Sequence, residues 1–179
     1  MLFRIPRAGV REGVSVAQSG VRAVLLGMNN PLSADPRYAL APFPSGSSGY
    51  RLWRLLQTRQ PQVTRKGYMD GFERMNLLNS RTWSRSAAKA AAENFPSLYA
   101  GRTIVVFGEQ VRSALELPKM LIHPVQMNGC TWRQLPHPSG LCRWYNDPEC
   151  AGLAAILLEE LYLKGQPHAE EIRRDDSET

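Results

Sequence analysis

Cysteine is scarce in this sequence, and the little there is follows no metal or disulfide pattern. Cys130, Cys142 and Cys150 are odd in number and contain no C-x-x-C pair. Such usage argues against a disulfide framework, a zinc site or an iron–sulfur cluster, and it fits a reducing compartment. Long apolar runs are missing as well: no stretch approaches the roughly 18 residues that cross a bilayer. Met1 to Gly20 is basic and lacks the apolar centre of a secretion signal, so it is expected to be a loosely ordered lead-in. Histidine is limited to His123, His137 and His168, and only His137 sits in a setting suited to chemistry. No internal repeat is present.

A globular balance of 43% hydrophobic and 21% charged residues over 179 positions predicts one domain with a sizeable core. The expected organisation is a lead-in over 1–20, one α/β domain over 21–164 and a polar tail over 165–179. The formal charge of +6 favours a polyanionic partner, most simply nucleic acid. Acidic residues between Glu170 and Glu178 make the remainder more basic than that total implies.

Short β-branched or apolar segments alternate with helical ones. Val21–Leu26 reads as a buried parallel strand ended by Gly27-Met28-Asn29-Asn30-Pro31. Met75–Asn79 reads as a second strand, Thr103–Phe107 as a third and Thr131–Leu135 as a fourth, with Met120–Cys130 ambiguous. Helices are expected from Ser47 or Ser48 to Gln57, over Ser84–Asn94, over Glu109–Leu117, and from Pro148 to Lys164 behind an Asp147 cap. Tyr68–Arg74 reads as a helical turn. This alternation predicts a three-layer α/β/α fold around a central, mainly parallel four-stranded sheet.

Two loops stand out. Ser33 to Gly49 carries Pro36, Pro42, Pro44, Gly46 and Gly49, and a connection that long in a compact domain is usually functional. Leu135-Pro136-His137-Pro138-Ser139-Gly140-Leu141-Cys142-Arg143 cannot be a helix interior, because proline removes a donor and clashes with the preceding turn. Ligands of parallel α/β folds bind outside the carboxyl ends of the strands. The Asn29 loop, Asn79, Gly108 and the His137 loop are all expected at such ends, so they should converge on one edge.

That set of loops resembles the uracil-DNA glycosylase superfamily. Gly27-Met28-Asn29 looks like its first motif and His137-Pro138-Ser139-Gly140-Leu141 like its second. Leu77-Leu78-Asn79 is similar to the strand end that carries a base-reading asparagine in several members. The layout is closest to the mismatch-specific uracil/thymine branch, and the histidine of the second motif resembles the single-strand-selective branch. The sequence departs from the family at Asn30, which precedes Pro31 where proline then glycine is usual, and no carboxylate closely follows Gly27.

The resemblance implies a monofunctional, monomeric DNA glycosylase that hydrolyses the bond between sugar and uracil or a related damaged pyrimidine in base excision repair. Its partner would be DNA with a flipped-out base. It would need no cofactor, no metal, no iron–sulfur cluster and no membrane, and it would work in a bacterial-type cytoplasm or on the nucleoid. Asn29 would orient the attacking water through its amide carbonyl. His137 would donate to pyrimidine O2 as negative charge builds there. Asn79 would read the O4 and N3–H edge. Met28 would line the base site and Phe43 would stack on the base. Leu141 would fill the gap left in the stack, with Ser139, Gly140 and Arg143 holding the backbone. The same residues also fit plainer roles: Asn29 and Asn79 as turn residues, His137 as a structural loop histidine, Phe43 as a core plug. Two other functions remain open, a non-catalytic DNA-binding protein of this fold and an N-glycosidase for free nucleosides or nucleotides.

Overall fold

A computed structural model describes residues 20–166. The lead-in before residue 20, the acidic tail and His168 lie outside the described residues. Strands β1 (Val24–Gly27), β2 (Glu73–Asn76), β3 (Thr103–Phe107), β4 (Val125–Met127) and β5 (Cys130–Leu135) form one sheet in the order β2-β1-β3-β5-β4. The pairs β1/β2, β1/β3 and β3/β5 are parallel, and β4 runs antiparallel to β5.

The sheet therefore has one strand more than the four expected. The added strand falls in the segment that was ambiguous, and its origin is local. Asn128 and Gly129 both adopt positive φ, at 51° and 75°. That is the backbone requirement of a two-residue hairpin turn whose twist matches the flanking strands. The turn folds Val125–Met127 back onto Cys130–Trp132.

Successive strand residues point to opposite faces, and both faces are covered by helices. On one face Leu25, Val105, Phe107 and Leu135 pack against α1 (Ser48–Arg59), α2 (Arg65–Gly71) and α6 (Pro148–Lys164). On the other, Val24, Leu26, Ile104, Val106 and Trp132 pack against α3 (Arg85–Glu93), α4 (Phe95–Leu98) and α5 (Glu109–Ala114). The result is the three-layer α/β/α architecture.

Strand limits shift from the sequence reading for physical reasons. Val21 and Arg22 are exposed, so β1 starts later than the apolar run suggests. The second strand ends at Asn76 rather than Asn79, because Leu77 and Leu78 both bury their side chains in the same core cluster and the alternation of faces stops. The last helix matches the expected limits: Pro148 opens it, and the Asp147 carboxylate accepts from Glu149 N at 2.8 Å and Cys150 N at 3.3 Å. Among the described residues no helix is long and apolar enough to cross a membrane.

Trp132 is the largest fully buried side chain, and its indole N–H donates to Met127 O at 2.9 Å, tying β5 to the hairpin. Trp132→Ala is expected to lower the unfolding free energy by about 3–5 kcal/mol. Urea titration followed by circular dichroism measures this, and a loss well below that range would mean that the β5 side of the sheet tolerates a void.

Candidate functional site

The four parallel strands bring their carboxyl ends to one edge, and the chain leaves β1 with β2 on one side and β3 on the other. That is a topological switch point, where ligands of open α/β sheets bind. A cavity of about 290 Å³ opens there, lined among others by Met28, Asn29, Phe43, Asn76, His137 and Ser139. Its size is close to the lower bound of about 300 Å³ for small-molecule sites, which suits a single small ring.

Asn76 closes β2 and pairs with Gly27 of β1 in the parallel ladder. It is the single buried polar side chain recorded among the described residues, at 8% exposure. Its amide has no hydrogen-bond partner among those residues. The reason it fits lies across the ladder: a Cβ at Gly27 would sit 2.6 Å from Asn76 Oδ1. Gly27 therefore leaves the space that the amide occupies. The amide lies on the cavity lining and is open to a ligand or water there; the buried side-chain atoms left without a partner among the described residues are Nε of Arg74, Arg102 and Arg133.

Asn29 leaves the sheet two residues after β1 and is half-buried. Its Nδ2 donates to Ser80 O at 3.4 Å. That tie assigns the donor end of the amide to the protein and leaves Oδ1 as an acceptor. The neighbouring Asn30 has a different job. Its Oδ1 accepts from Leu32 N at 3.0 Å and its Nδ2 donates to Tyr38 O at 3.3 Å, so it builds the turn through Pro31.

His137 follows β5 by two residues. It packs on Gly108, whose φ of +91° turns the chain after β3 and whose missing side chain would meet His137 Cβ at 3.2 Å. Burial lowers the His137 pKa below the ordinary 6.5, because the charged imidazolium loses hydration without gaining a counter-charge. The ring is therefore neutral at pH 7, with one N–H available to donate. Among the described residues no Asp or Glu lines the cavity, and no group of three or more His, Cys, Asp or Glu side chains is placed to hold a metal ion.

The loops around the cavity are tied down. Arg51 of α1 donates to Ser139 O at 3.0 Å, linking the helix to the loop that carries His137. Tyr145 donates to Pro136 O at 2.7 Å from the other side. The long loop is held by Arg74 to Ala39 O at 2.8 Å and by Tyr68 to Leu40 O at 3.3 Å. Phe43 stands on the cavity rim, 41% exposed, edge-on to Tyr38 with ring centroids 6.1 Å apart. It does not plug the core. Leu141 is 93% exposed, the most exposed large apolar side chain among the described residues. It and the exposed Arg143 stand on the loop beyond Gly140 rather than in the cavity wall.

The structure thus brings Met28, Asn29, Phe43, His137, Ser139 and Gly140 together on one cavity. Asn79 is exposed and absent from its lining, and Asn76 occupies the position at the strand end. The sequence signal for Asn76 was its place opposite Gly27, a pairing visible only once the β1/β2 register is known. His123 is exposed and remote from the cavity lining. No family model matches the chain, and no curated protein matches it in sequence.

The depressed pKa of His137 sets a pH dependence. Between pH 6.5 and the lower folded-state midpoint the unfolded chain binds the proton that the folded chain refuses. Folding stability therefore falls as pH drops through that window and is fully present above it. His137→Gln should flatten this part of the stability–pH curve, and the parent's imidazole proton resonances should titrate with a midpoint below 6.5. A midpoint at or above that value would mean that the imidazole is solvated or charge-paired.

Proposed function

We propose that the protein is a monofunctional DNA glycosylase that hydrolyses the N-glycosidic bond of uracil or a related pyrimidine extruded from DNA. The observation that carries this reading is the meeting, on one small cavity at the sheet's switch point, of a strand-end amide facing the cavity, a neutral imidazole and an amide with a free acceptor.

Each group has one task. The Asn76 amide offers a donor and an acceptor side by side, which matches the O4 and N3–H edge of uracil. In this reading Asn76, not Asn79, reads the base. Phe43 at the rim offers an aromatic edge to the base, and Met28 contributes apolar wall. As the bond to the sugar breaks, negative charge gathers on the departing base, and the neutral His137 donates to O2. A positioned donor of this kind is worth about 10²–10³ in rate. Asn29 Oδ1 orients the water that attacks the sugar carbon. With no carboxylate among the described residues on the wall, orientation replaces strong general-base help, which fits a slow enzyme. The exposed Leu141 fits the gap that an extruded base leaves, and Arg143 beside it suits a phosphate.

The test is release of free base from a uracil-containing oligonucleotide under single-turnover conditions, read beside equilibrium binding. Asn29→Ala is expected to slow release by about a hundredfold or more with affinity retained. Asn76→Ala is expected to lower release by about 10–100-fold, and Asn79→Ala to match the parent. Binding without release in the parent would point to a non-catalytic DNA-binding protein. Loss in Asn79→Ala with none in Asn76→Ala would return base reading to the strand's far end.

A further inference from the structure

Beside the cavity, one turn further along α1, lies a second concavity of about 340 Å³, walled by Tyr50, Arg51, Arg54, Tyr145 and Asn146. Ser47, Ser48 and Gly49 border the first cavity, and Tyr50, Arg51 and Arg54 border the second, so a single helix lines both. At 1.5 Å per residue, Gly49 and Arg54 are about 7.5 Å apart along the axis. At the roughly 3.4 Å per nucleotide of a stacked duplex strand, that is about two nucleotide steps.

Two features of this groove point to a ligand. The first is charge. Arg51 and Arg54 both line the groove, and neither has a carboxylate partner within salt-bridge distance among the described residues. The second is the aromatic wall. Tyr50 and Tyr145 both line the groove; Trp53, edge-on to Tyr50 with centroids 5.5 Å apart, and Arg65, 5.7 Å from the Tyr50 centroid, lie outside its lining. Arg54 sits 5.9 Å from the Trp53 ring. Phosphate contacts alone would need only the arginines. Aromatic walls interleaved with arginine fit a base whose face is free to stack.

We infer that this groove takes an unpaired base from the strand that flanks the extruded nucleotide, so that the substrate is single-stranded DNA. The inference rests on the proposed glycosylase reading for the location of the strand. A base held in a duplex is stacked and paired, and it cannot enter a groove two steps from the flipped nucleotide without further unpairing. Arg51 joins the two concavities: it lines the groove and donates to Ser139 O of the His137 loop.

The test uses a short, uracil-free, fluorescently labelled oligothymidylate, so that binding is read without catalysis, and the same strand annealed to its complement. The parent should bind the single strand more tightly than the duplex. Tyr50→Ala should weaken single-strand binding about tenfold, leave duplex binding unchanged, and be rescued by Tyr50→Phe. Arg54→Ala, at an exposed position whose recorded hydrogen bond is to Gln57, should lower the slope of log affinity against log salt by about 0.7. It keeps the test decisive if Tyr50→Ala fails to fold. Parental single-strand affinity in Tyr50→Ala, an unchanged slope in Arg54→Ala, or equal losses on single strand and duplex would overturn the inference. Absence of base release from a uracil oligonucleotide, with these binding results intact, would instead overturn the glycosylase reading and leave the groove standing.

Discussion

The structure depends on β1 being paired in parallel on both sides. Val24, Leu25 and Leu26 are fully buried, with β2 bonded along one edge and β3 along the other. A parallel strand cannot return by a tight turn, so each neighbour arrives after a crossover through a helix. This routes the exit loops of β1, β2, β3 and β5 to one edge of the sheet. The cavity is a consequence of that routing.

The polar groups at this edge are held in a costly but ordered state. Asn76 is largely buried with its amide on the cavity lining, and His137 is neutral because burial withholds hydration from its charged form. The surrounding ties hold these side chains so that they do not collapse onto each other: Arg51 to Ser139 O, Tyr145 to Pro136 O, Arg74 to Ala39 O. Preorganised donors and acceptors of this kind act on a ligand with little reorganisation at the moment of reaction. The proposed hydrolysis relies on that preorganisation, because no carboxylate among the described residues stands on the cavity wall to act as a strong base.

Several elements were legible from residue pattern. Thr103–Phe107 is the expected strand without adjustment, since a β-branched apolar run bounded by glycine has few alternatives. The α6 start was legible because Asp at the cap followed by Pro is a local signal with a local cause. The β4 strand was not recognised, although the Asn128-Gly129 pair that makes its turn was in view. A three-residue strand with half-exposed residues has too little periodicity to announce itself.

The sequence by itself determined the alternation of strands and helices and the rigid His137 loop, because each follows from local chemistry: proline's missing donor, glycine's freedom, the period of apolar residues. Which asparagine meets the cavity was decided only by tertiary structure. Asn76 and Asn79 are three residues apart, so an uninterrupted strand would place them on opposite faces. The parallel register that sets Asn76 against Gly27, and the burial of both Leu77 and Leu78 that ends the alternation, turn Asn76 into the wall and leave Asn79 outside. Arg51 was settled in the same way. On the helix alone it reads as one more surface cation, and only the approach of the β5 loop, 88 residues away in the chain, makes it the tie that holds the His137 loop.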